Sequence, residues 1–162
     1  MSEKFVAISE QDIFEAIEVW GEGIIKISHF FETEGIEKAR EAASQMLDNL
    51  YGFEIGPVLF KPTLSGGSQT FRHTKEGALS YFVGQDPSYP LDTGFGLKFW
   101  RMFKSETSGI FISDNVAIWM GWVSFTDRNG AVTKVDKSWG YKFHKDGSLR
   151  IMHHHSSLPY IP

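Results

Sequence analysis

The chain has 162 residues, a formal net charge of −4 at pH 7, 41% hydrophobic residues and no cysteine. Neither nucleic acid nor a membrane is an expected partner, because the charges include no basic stripe and no apolar run reaches transmembrane length. The length predicts one domain at residues 1–162, and the absence of cysteine and of a secretory signal at Met1–Phe5 predicts a cytoplasmic location.

The first third of the chain predicts two helices. Ser9 followed by Asp12 resembles a capping box, with Asp in place of Glu. Behind it, apolar residues recur at spacings of four and three, as on one face of a long helix. The residues of this face are Ile13, Ile17, Trp20, Ile24, Ile27 and Phe31. Gly21 and Gly23 interrupt the helix, and we attribute them to tight packing. Thr33 predicts the start of a second helix.

From residue 53 onward the pattern predicts strands. They cover residues 53–63, 95–104, 116–126, 131–143 and 148–158. A short helix at residues 74–83 separates the first two strands. The pairs Asn129–Gly130 and Asp146–Gly147 are typical of hairpin turns, so the last three strands form an antiparallel meander. Residues 116–123 are apolar on both faces, which predicts that this strand is covered on both sides.

Helices followed by a long sheet predict an α+β fold. We expect a cone-shaped, strongly curved antiparallel sheet wrapped on the N-terminal helices, with an apolar pocket inside. Aromatic residues make up 15% of the chain, with 14 Phe. Since aromatic side chains dominate the energetics of cores and pockets, an aromatic-lined interior is expected.

Three consecutive histidines, His153, His154 and His155, lie in the last predicted strand. Successive side chains of a strand face opposite sides, so His154 and Ser156 share one face while His153 and His155 share the other. An imidazole and a hydroxyl that enter an apolar interior together are costly to bury unless they are hydrogen-bonded, and they are suited to moving protons. A structural histidine cluster remains the alternative.

The same histidines also bear on metal binding. His153 and His155 have a His-x-His spacing that a catalytic zinc site uses, but zinc needs at least three protein ligands. The remaining histidines, His29, His73 and His144, lie in unrelated segments, and there is no cysteine. The sequence therefore favours a site with no metal and no other cofactor.

Several segments together resemble one family. They are residues 57–63, 71–74, 78–84, 94–96, 140–141 and 154–160, the last reading His-His-Ser-Ser-Leu-Pro-Tyr. With these segments the chain resembles the iota-class carbonic anhydrases of the nuclear transport factor 2-like (cystatin-like) superfamily. The association domain of calcium/calmodulin-dependent kinase and the ketosteroid isomerases are relatives in that superfamily. The resemblance runs from Trp20 to Tyr160, and the His-His-Ser-Ser-x-Pro block is its most specific element.

The resemblance implies a carbonate dehydratase, a lyase that hydrates CO2 reversibly to bicarbonate, and it implies a homodimer. The shorter members that this chain resembles are understood to work without metal, whereas some relatives have been reported as metal-dependent. One local departure is His73, which stands where the family pattern has Pro between Arg72 and Thr74. It changes a loop and leaves the implied site intact.

Carried over by motif, the implied catalytic residues are Thr63, Tyr81, His154 and Ser156. The three hydroxyls would bind substrate by placing water and the bicarbonate oxygens, while His154 would exchange protons near neutral pH. Arg72 is a candidate for attracting bicarbonate or, equally, an exposed structural arginine. Taken singly, each hydroxyl also fits a structural role.

Two other classes of function stay open. A small-molecule isomerase or cyclase of the ketosteroid isomerase type needs a buried carboxylate base, and Asp92, Asp114 and Asp136 do not have an inward-facing pattern. A non-catalytic oligomerising module, like the kinase association domain, is the other class. Polar groups that face the interior argue against it.

Overall fold

The computed structural model describes residues 6–162, so the predicted lack of a secretory signal at Met1–Phe5 lies outside the described residues. The helices are α1 at Glu10–Glu34, α2 at Ile36–Leu50 and α3 at Lys75–Val83. The strands are β1 at Leu59–Lys61, β2 at Trp100–Ser113, β3 at Val116–Asp127, β4 at Val132–Phe143 and β5 at Leu149–Ser157. Among residues 6–162, no helix is both long and apolar enough to cross a bilayer.

Helix α1 begins at the predicted capping box. The Ser9 hydroxyl accepts from the Asp12 backbone N–H at 3.1 Å, and the Asp12 carboxylate accepts from the Ser9 backbone N–H at 2.8 Å. The predicted apolar face is buried at Ile13, Ile17, Trp20, Ile24 and Ile27. The spacing of apolar residues therefore identified the face of α1 that packs on the sheet.

The boundary between α1 and α2 lies at Gly35, and the prediction that Thr33 begins the second helix is wrong. Gly35 has a φ of 90°, which glycine adopts at little cost, so the chain turns there within one residue. The Thr33 hydroxyl instead donates to the His29 carbonyl inside α1 at 2.9 Å.

The five strands form one sheet in the order β1-β5-β4-β3-β2. β2 to β5 are an antiparallel meander, as the two hairpin turns predicted. In contrast, β1 pairs in parallel with β5, with Phe60 opposite His154, so the sheet is mixed. Only Leu59–Lys61 of the strand predicted at 53–63 reaches the sheet.

The strand predicted at residues 95–104 begins later and extends further. Residues Phe95–Leu97 form one turn of 3₁₀ helix. The Trp100 indole N–H donates to the Phe95 carbonyl at 2.7 Å, which folds this segment inward instead of extending it. Strand β2 then continues to Ser113, past a polar stretch without apolar alternation, because its backbone pairs with β3.

Trp20 of α1 lies at the centre of an aromatic core between the helices and the sheet. Its ring makes edge contacts with Phe103, Phe125, Trp139 and His154, at centroid distances of 6.0, 5.8, 5.0 and 5.5 Å. The aromatic-lined interior expected from composition is therefore present, and it surrounds the inner face of β4 and β5.

The outer face of β3 is uncovered in the single chain. The prediction of a strand covered on both sides is therefore wrong for the single chain. Val116, Ile118, Met120 and Trp122 point outward and are 42%, 45%, 59% and 37% exposed. The inward residues of β3 alternate with them and are buried. An apolar stripe on the surface is thus left without a partner.

The two glycines of α1 give a matched test of close packing. A Cβ at Gly21 would overlap the ring of Phe103, whereas one at Gly23 would lie 3.0 Å from the Sδ of Met46, an unbranched side chain that can adjust. Alanine gains about 1 kcal/mol of helix propensity at either position. We expect Gly21→Ala to lower the free energy of unfolding by about 1–3 kcal/mol through overpacking, while Gly23→Ala leaves it equal or higher. Urea denaturation measures both, and equal effects would contradict the packing explanation.

Candidate active site

The inner face of β5 carries His154 and Ser156, which are 1% and 0% exposed. Strand alternation predicted this shared face. β1 lies on one side of β5 and β4 on the other, so residues from both strands reach the same region. Two polar side chains are thereby enclosed in the aromatic core, where each needs a hydrogen-bond partner.

Three buried hydroxyls meet at one end of this face, and we call Thr63, Tyr81 and Ser156 the hydroxyl cluster. The Thr63 and Ser156 hydroxyl oxygens are 2.5 Å apart. The Tyr81 hydroxyl comes from α3 and accepts from the backbone N–H of Leu64, the residue after Thr63, at 3.4 Å. Residues from the turn after β1, from α3 and from β5, distant in sequence, are therefore brought together as the resemblance implied.

Burial keeps the Tyr81 hydroxyl protonated. Desolvation is the main cause, and it raises the pKa of Tyr81 far above its ordinary value. A protonated phenol can donate a hydrogen bond to an anion without itself carrying charge. The cluster thus contains a permanent donor next to two hydroxyls that can each donate or accept.

His154 lies beside the hydroxyl cluster but directs both ring nitrogens elsewhere. Nδ1 is 2.9 Å from the Tyr51 hydroxyl, and Nε2 is 2.9 Å from the Lys137 amine. The ring stacks on Phe60 at 4.6 Å. Desolvation, with repulsion from Lys137, lowers the pKa of His154 well below its ordinary value. The geometry and the lowered pKa both argue against proton exchange by His154 itself near neutral pH.

Lys137 and Tyr51 were missed in the sequence. Lys137 is 4% exposed, and desolvation, aided by repulsion from Lys61 and opposed by Asp136, lowers its pKa to about 7. A signal was available for Lys137, because it alternates with the inward residues Val135 and Trp139. An inward lysine between apolar neighbours is uncommon.

Arg72 belongs to a separate buried ion pair. Its guanidinium donates twice to Asp92, each time at 2.8 Å, and also to the Gln69 and Gly77 carbonyls. Ser80 donates to the same carboxylate at 2.6 Å. Arg72 is therefore a structural residue that is buried, not exposed, and attraction of bicarbonate by Arg72 stays an untested prediction.

The carboxylates considered for isomerase chemistry are placed unlike a catalytic base. Asp92 is buried, contrary to expectation, but its oxygens are held by Arg72 and Ser80. Asp114 lies at the turn between β2 and β3, with a φ of 52°. Asp136 lies on β4 next to the inward Lys137 and therefore faces outward.

The other two histidines of the run face away from the core. His153 Nε2 is 2.9 Å from the Ser138 hydroxyl, and His155 is exposed. Within residues 6–162, no three side chains of His, Cys, Asp or Glu come together in a way that could hold a metal ion. The His-x-His spacing therefore finds no third ligand in the described part of the chain.

The sequence of residues 11–158 matches the family described as metal-independent carbonic anhydrase. A protein of that name from Nostoc sp. (strain PCC 7120 / SAG 25.82 / UTEX 2576) is 46% identical over 154 residues, which make up 95% of this chain and 75% of the relative. Among solved structures, an iota-carbonic anhydrase from a cyanobacterium, complexed with bicarbonate, is 43% identical. Its TM-score is 0.96, with 100% of both chains covered.

More distant structures share the architecture. A putative calcium/calmodulin dependent protein kinase II association domain from Xanthomonas campestris has a TM-score of 0.62 at 16% identity, over 98% of each chain. A nuclear transport factor 2-like superfamily protein from Salmonella enterica has a TM-score of 0.52 at 16% identity, over 93% of this chain and 91% of the other. These likenesses show the fold alone, and they confirm the predicted α+β class.

The lowered pKa of Lys137 should make stability depend on pH. Unfolding restores the ordinary pKa of lysine, so the unfolded chain binds more protons than the folded protein between about pH 7 and 10. The free energy of unfolding should therefore rise with pH in this window, by up to about 1.4 kcal/mol per pH unit. We expect Lys137→Met to lose this rise in urea denaturation, while Lys145→Met, at an exposed turn, keeps it. An unchanged slope in Lys137→Met would contradict the assignment.

Proposed function

Because the chain belongs to the family of metal-independent carbonic anhydrases, it catalyses the reversible hydration of CO2 to bicarbonate, and we propose that the hydroxyl cluster is where the reaction takes place. The observation that carries this proposal is the 2.5 Å contact between Thr63 and Ser156, with the Tyr81 hydroxyl bonded to the backbone N–H of the next residue, Leu64. The bicarbonate bound to the structural relative is in keeping with a site for a small anion.

The reaction needs a held water, a dry place for CO2 and donors for the charge that develops. In the proposed step, the water oxygen forms a bond to the carbon of CO2, one of its O–H bonds breaks and passes its proton to a base, and a CO2 oxygen takes up negative charge. Hydroxyl donors fixed in advance stabilise such charge without reorganising. Tyr81 is the permanent donor, while Thr63 and Ser156 orient the water.

Aromatic side chains supply the dry part of the proposed site. Phe60 contacts the Tyr81 ring at a centroid distance of 5.9 Å, and Phe95 stacks on it at 5.7 Å. CO2 is apolar, so such a wall can hold it while keeping other water away. His154 is included as a residue of the site because it stacks on Phe60 and places Lys137.

The family assignment also decides between the remaining classes of function. The isomerase alternative would need a free carboxylate base, and Asp92 is occupied by its ion pair. The purely structural module rests on a likeness at 16% identity, which carries no activity. We further propose a cytoplasmic protein of one domain at residues 1–162, since a chain without cysteine suits a reducing compartment.

The uncovered face of β3 supports a homodimer. Ile118 and Met120 belong to its apolar stripe, and the neighbouring residues Leu59 and Met152 line a groove of about 410 Å³ on the same side of the sheet. Contiguous apolar patches on a soluble protein mark interaction sites. A second copy of the chain, as the resemblance implied, would cover this stripe.

The dimer proposal predicts that a charge on this face separates the subunits. We expect sedimentation velocity at micromolar concentration to give the mass of two chains for the wild type and of one chain for Ile118→Lys. A buried ammonium without a partner at the interface is costly. Glu37→Lys, on the exposed surface of α2, is the matched control and should remain dimeric. A monomeric wild type would contradict the proposal.

Activity without metal is tested by CO2 hydration in excess chelator. We expect the wild type to remain active and Tyr81→Phe or Ser156→Ala to lose about 10²-fold or more in kcat/KM, because each removes a fixed hydroxyl. Ser157→Ala changes the adjacent residue on the opposite face of β5 and should stay within about 2-fold of the wild type. Loss of activity on chelation, restored by zinc or manganese, would overturn the mechanism.

A further inference from the structure

Lys137 is a buried amine beside the hydroxyl cluster, and the step described above gives it no role. It lies directly opposite Ser156 in the pairing of β4 with β5. Opposite residues of an antiparallel pair have Cβ atoms about 4.5–5.5 Å apart, so the side chain of Lys137 starts next to Ser156. Burying a lysine in an aromatic core is costly.

Three hydrogen bonds form a chain that ends at this amine. The Trp20 indole nitrogen is 2.9 Å from the Tyr51 hydroxyl, which is 2.9 Å from His154 Nδ1, and His154 Nε2 is 2.9 Å from Lys137 Nζ. An indole N–H can only donate, so Tyr51 accepts from Trp20. Among the described residues, the acceptor within reach of the Tyr51 hydroxyl hydrogen is His154 Nδ1.

The direction of these hydrogen bonds determines which nitrogen of His154 carries its hydrogen and whether Lys137 is charged. If Nδ1 accepts, the neutral imidazole of His154 carries its hydrogen on Nε2, and that N–H points at Lys137. An ammonium has no lone pair to accept it, whereas a free amine has one. With Lys137 protonated, the hydrogen bonds would run in the opposite direction, from Lys137 to His154 Nε2 and from His154 Nδ1–H to Tyr51. The Tyr51 hydroxyl hydrogen would then have no acceptor, which is unfavourable in the core.

The surroundings of Lys137 act in both directions on its charge. Desolvation and the ammonium of Lys61 on β1 disfavour the charged form, and Asp136 on β4 favours it. Trp20 on α1 and Trp139 on β4 face the amine with ring centroids at 4.9 and 5.5 Å, and aromatic faces stabilise a cation. The resulting pKa of about 7 makes both forms accessible near neutral pH.

We infer that Lys137 rests as a free amine and takes up the proton that CO2 hydration releases. The inference rests on the proposed function. As the water oxygen bonds to carbon, the proton from the broken O–H bond ends on Lys137 Nζ, giving an ammonium and bicarbonate. The hydrogen of neutral His154 moves from Nε2 to Nδ1, so the Nε2–H bond breaks, an Nδ1–H bond forms, and Nε2 can accept from the ammonium. Bicarbonate leaves, and the ammonium returns its proton to solvent. This is favourable because the Tyr51 hydroxyl can then donate to His154 Nδ1 again.

Titration of the lysine amines by NMR tests the resting state without using activity. In wild-type protein labelled at lysine Nζ, we expect one signal with a midpoint near 7, well below the ordinary pKa of lysine, about 10. Asp136→Asn should move that midpoint to lower pH and Lys61→Gln to higher pH, because they remove opposite charges. These opposite shifts assign the signal to Lys137.

The pH dependence of kcat for CO2 hydration tests the proton uptake. We expect an inflection near the NMR midpoint in the wild type, moving with that midpoint in Asp136→Asn. Lys137→Met should lose about 10²-fold or more in kcat, with KM for CO2 within about 2-fold, because the hydroxyl cluster is intact. Imidazole buffer should restore part of the lost rate, and Lys145→Met should match the wild type.

The outcomes separate the inference from the proposed function. If every lysine titrates at the ordinary value, or if the kinetic inflection stays fixed while the NMR midpoint moves, the inference is overturned. If Lys137→Met does not fold, Asp136→Asn still provides this comparison. A wild type without hydration activity in chelator overturns the proposed function, whereas the NMR titration still decides whether Lys137 is a free amine.

Discussion

Polar side chains buried in an aromatic core must find their partners inside it, and the inner face of β4 and β5 is arranged around this requirement. Leaving such a group unpaired costs about 1–3 kcal/mol. Ser156 is satisfied by Thr63, in the turn after β1, and His154 by Tyr51 and Lys137. β1, a strand of three residues, pairs in parallel with β5 at the edge of the sheet. The chain continues from it to Thr63.

The buried side chains that form these hydrogen bonds are also the ones that can bind water and an anion and accept a proton. Burial pushes the pKa of Tyr81 up and that of Lys137 down, so the core contains a hydroxyl that stays protonated and an amine that can lose its proton near neutral pH. Their hydrogen bonds are strengthened by the low local dielectric. Without a Lewis acid, orientation and proton transfer remain as sources of rate, and both depend on these burial effects.

The same architecture occurs in proteins with other roles, so the function is carried by side chains and not by the fold. An association domain with a TM-score of 0.62 shares the helices and the sheet at 16% identity. In this chain, the buried side chains available for chemistry are the hydroxyl cluster and the hydrogen-bonded series Tyr51, His154 and Lys137. The outer face of β3, apolar and uncovered, lies on the opposite side of the sheet from the hydroxyl cluster, so the proposed dimer contact and the proposed site are spatially separate.

The sequence alone determined features that follow a local period: the buried face of α1, the two hairpin turns, and the shared face of His154 and Ser156. It also contained the inward position of Lys137, through its alternation with Val135. Only the tertiary structure decided which residues meet there, because Thr63 and Ser156 are 93 residues apart and Tyr51 and His154 are 103 apart. The low pKa of Lys137 was likewise invisible, since desolvation depends on everything that packs around the amine.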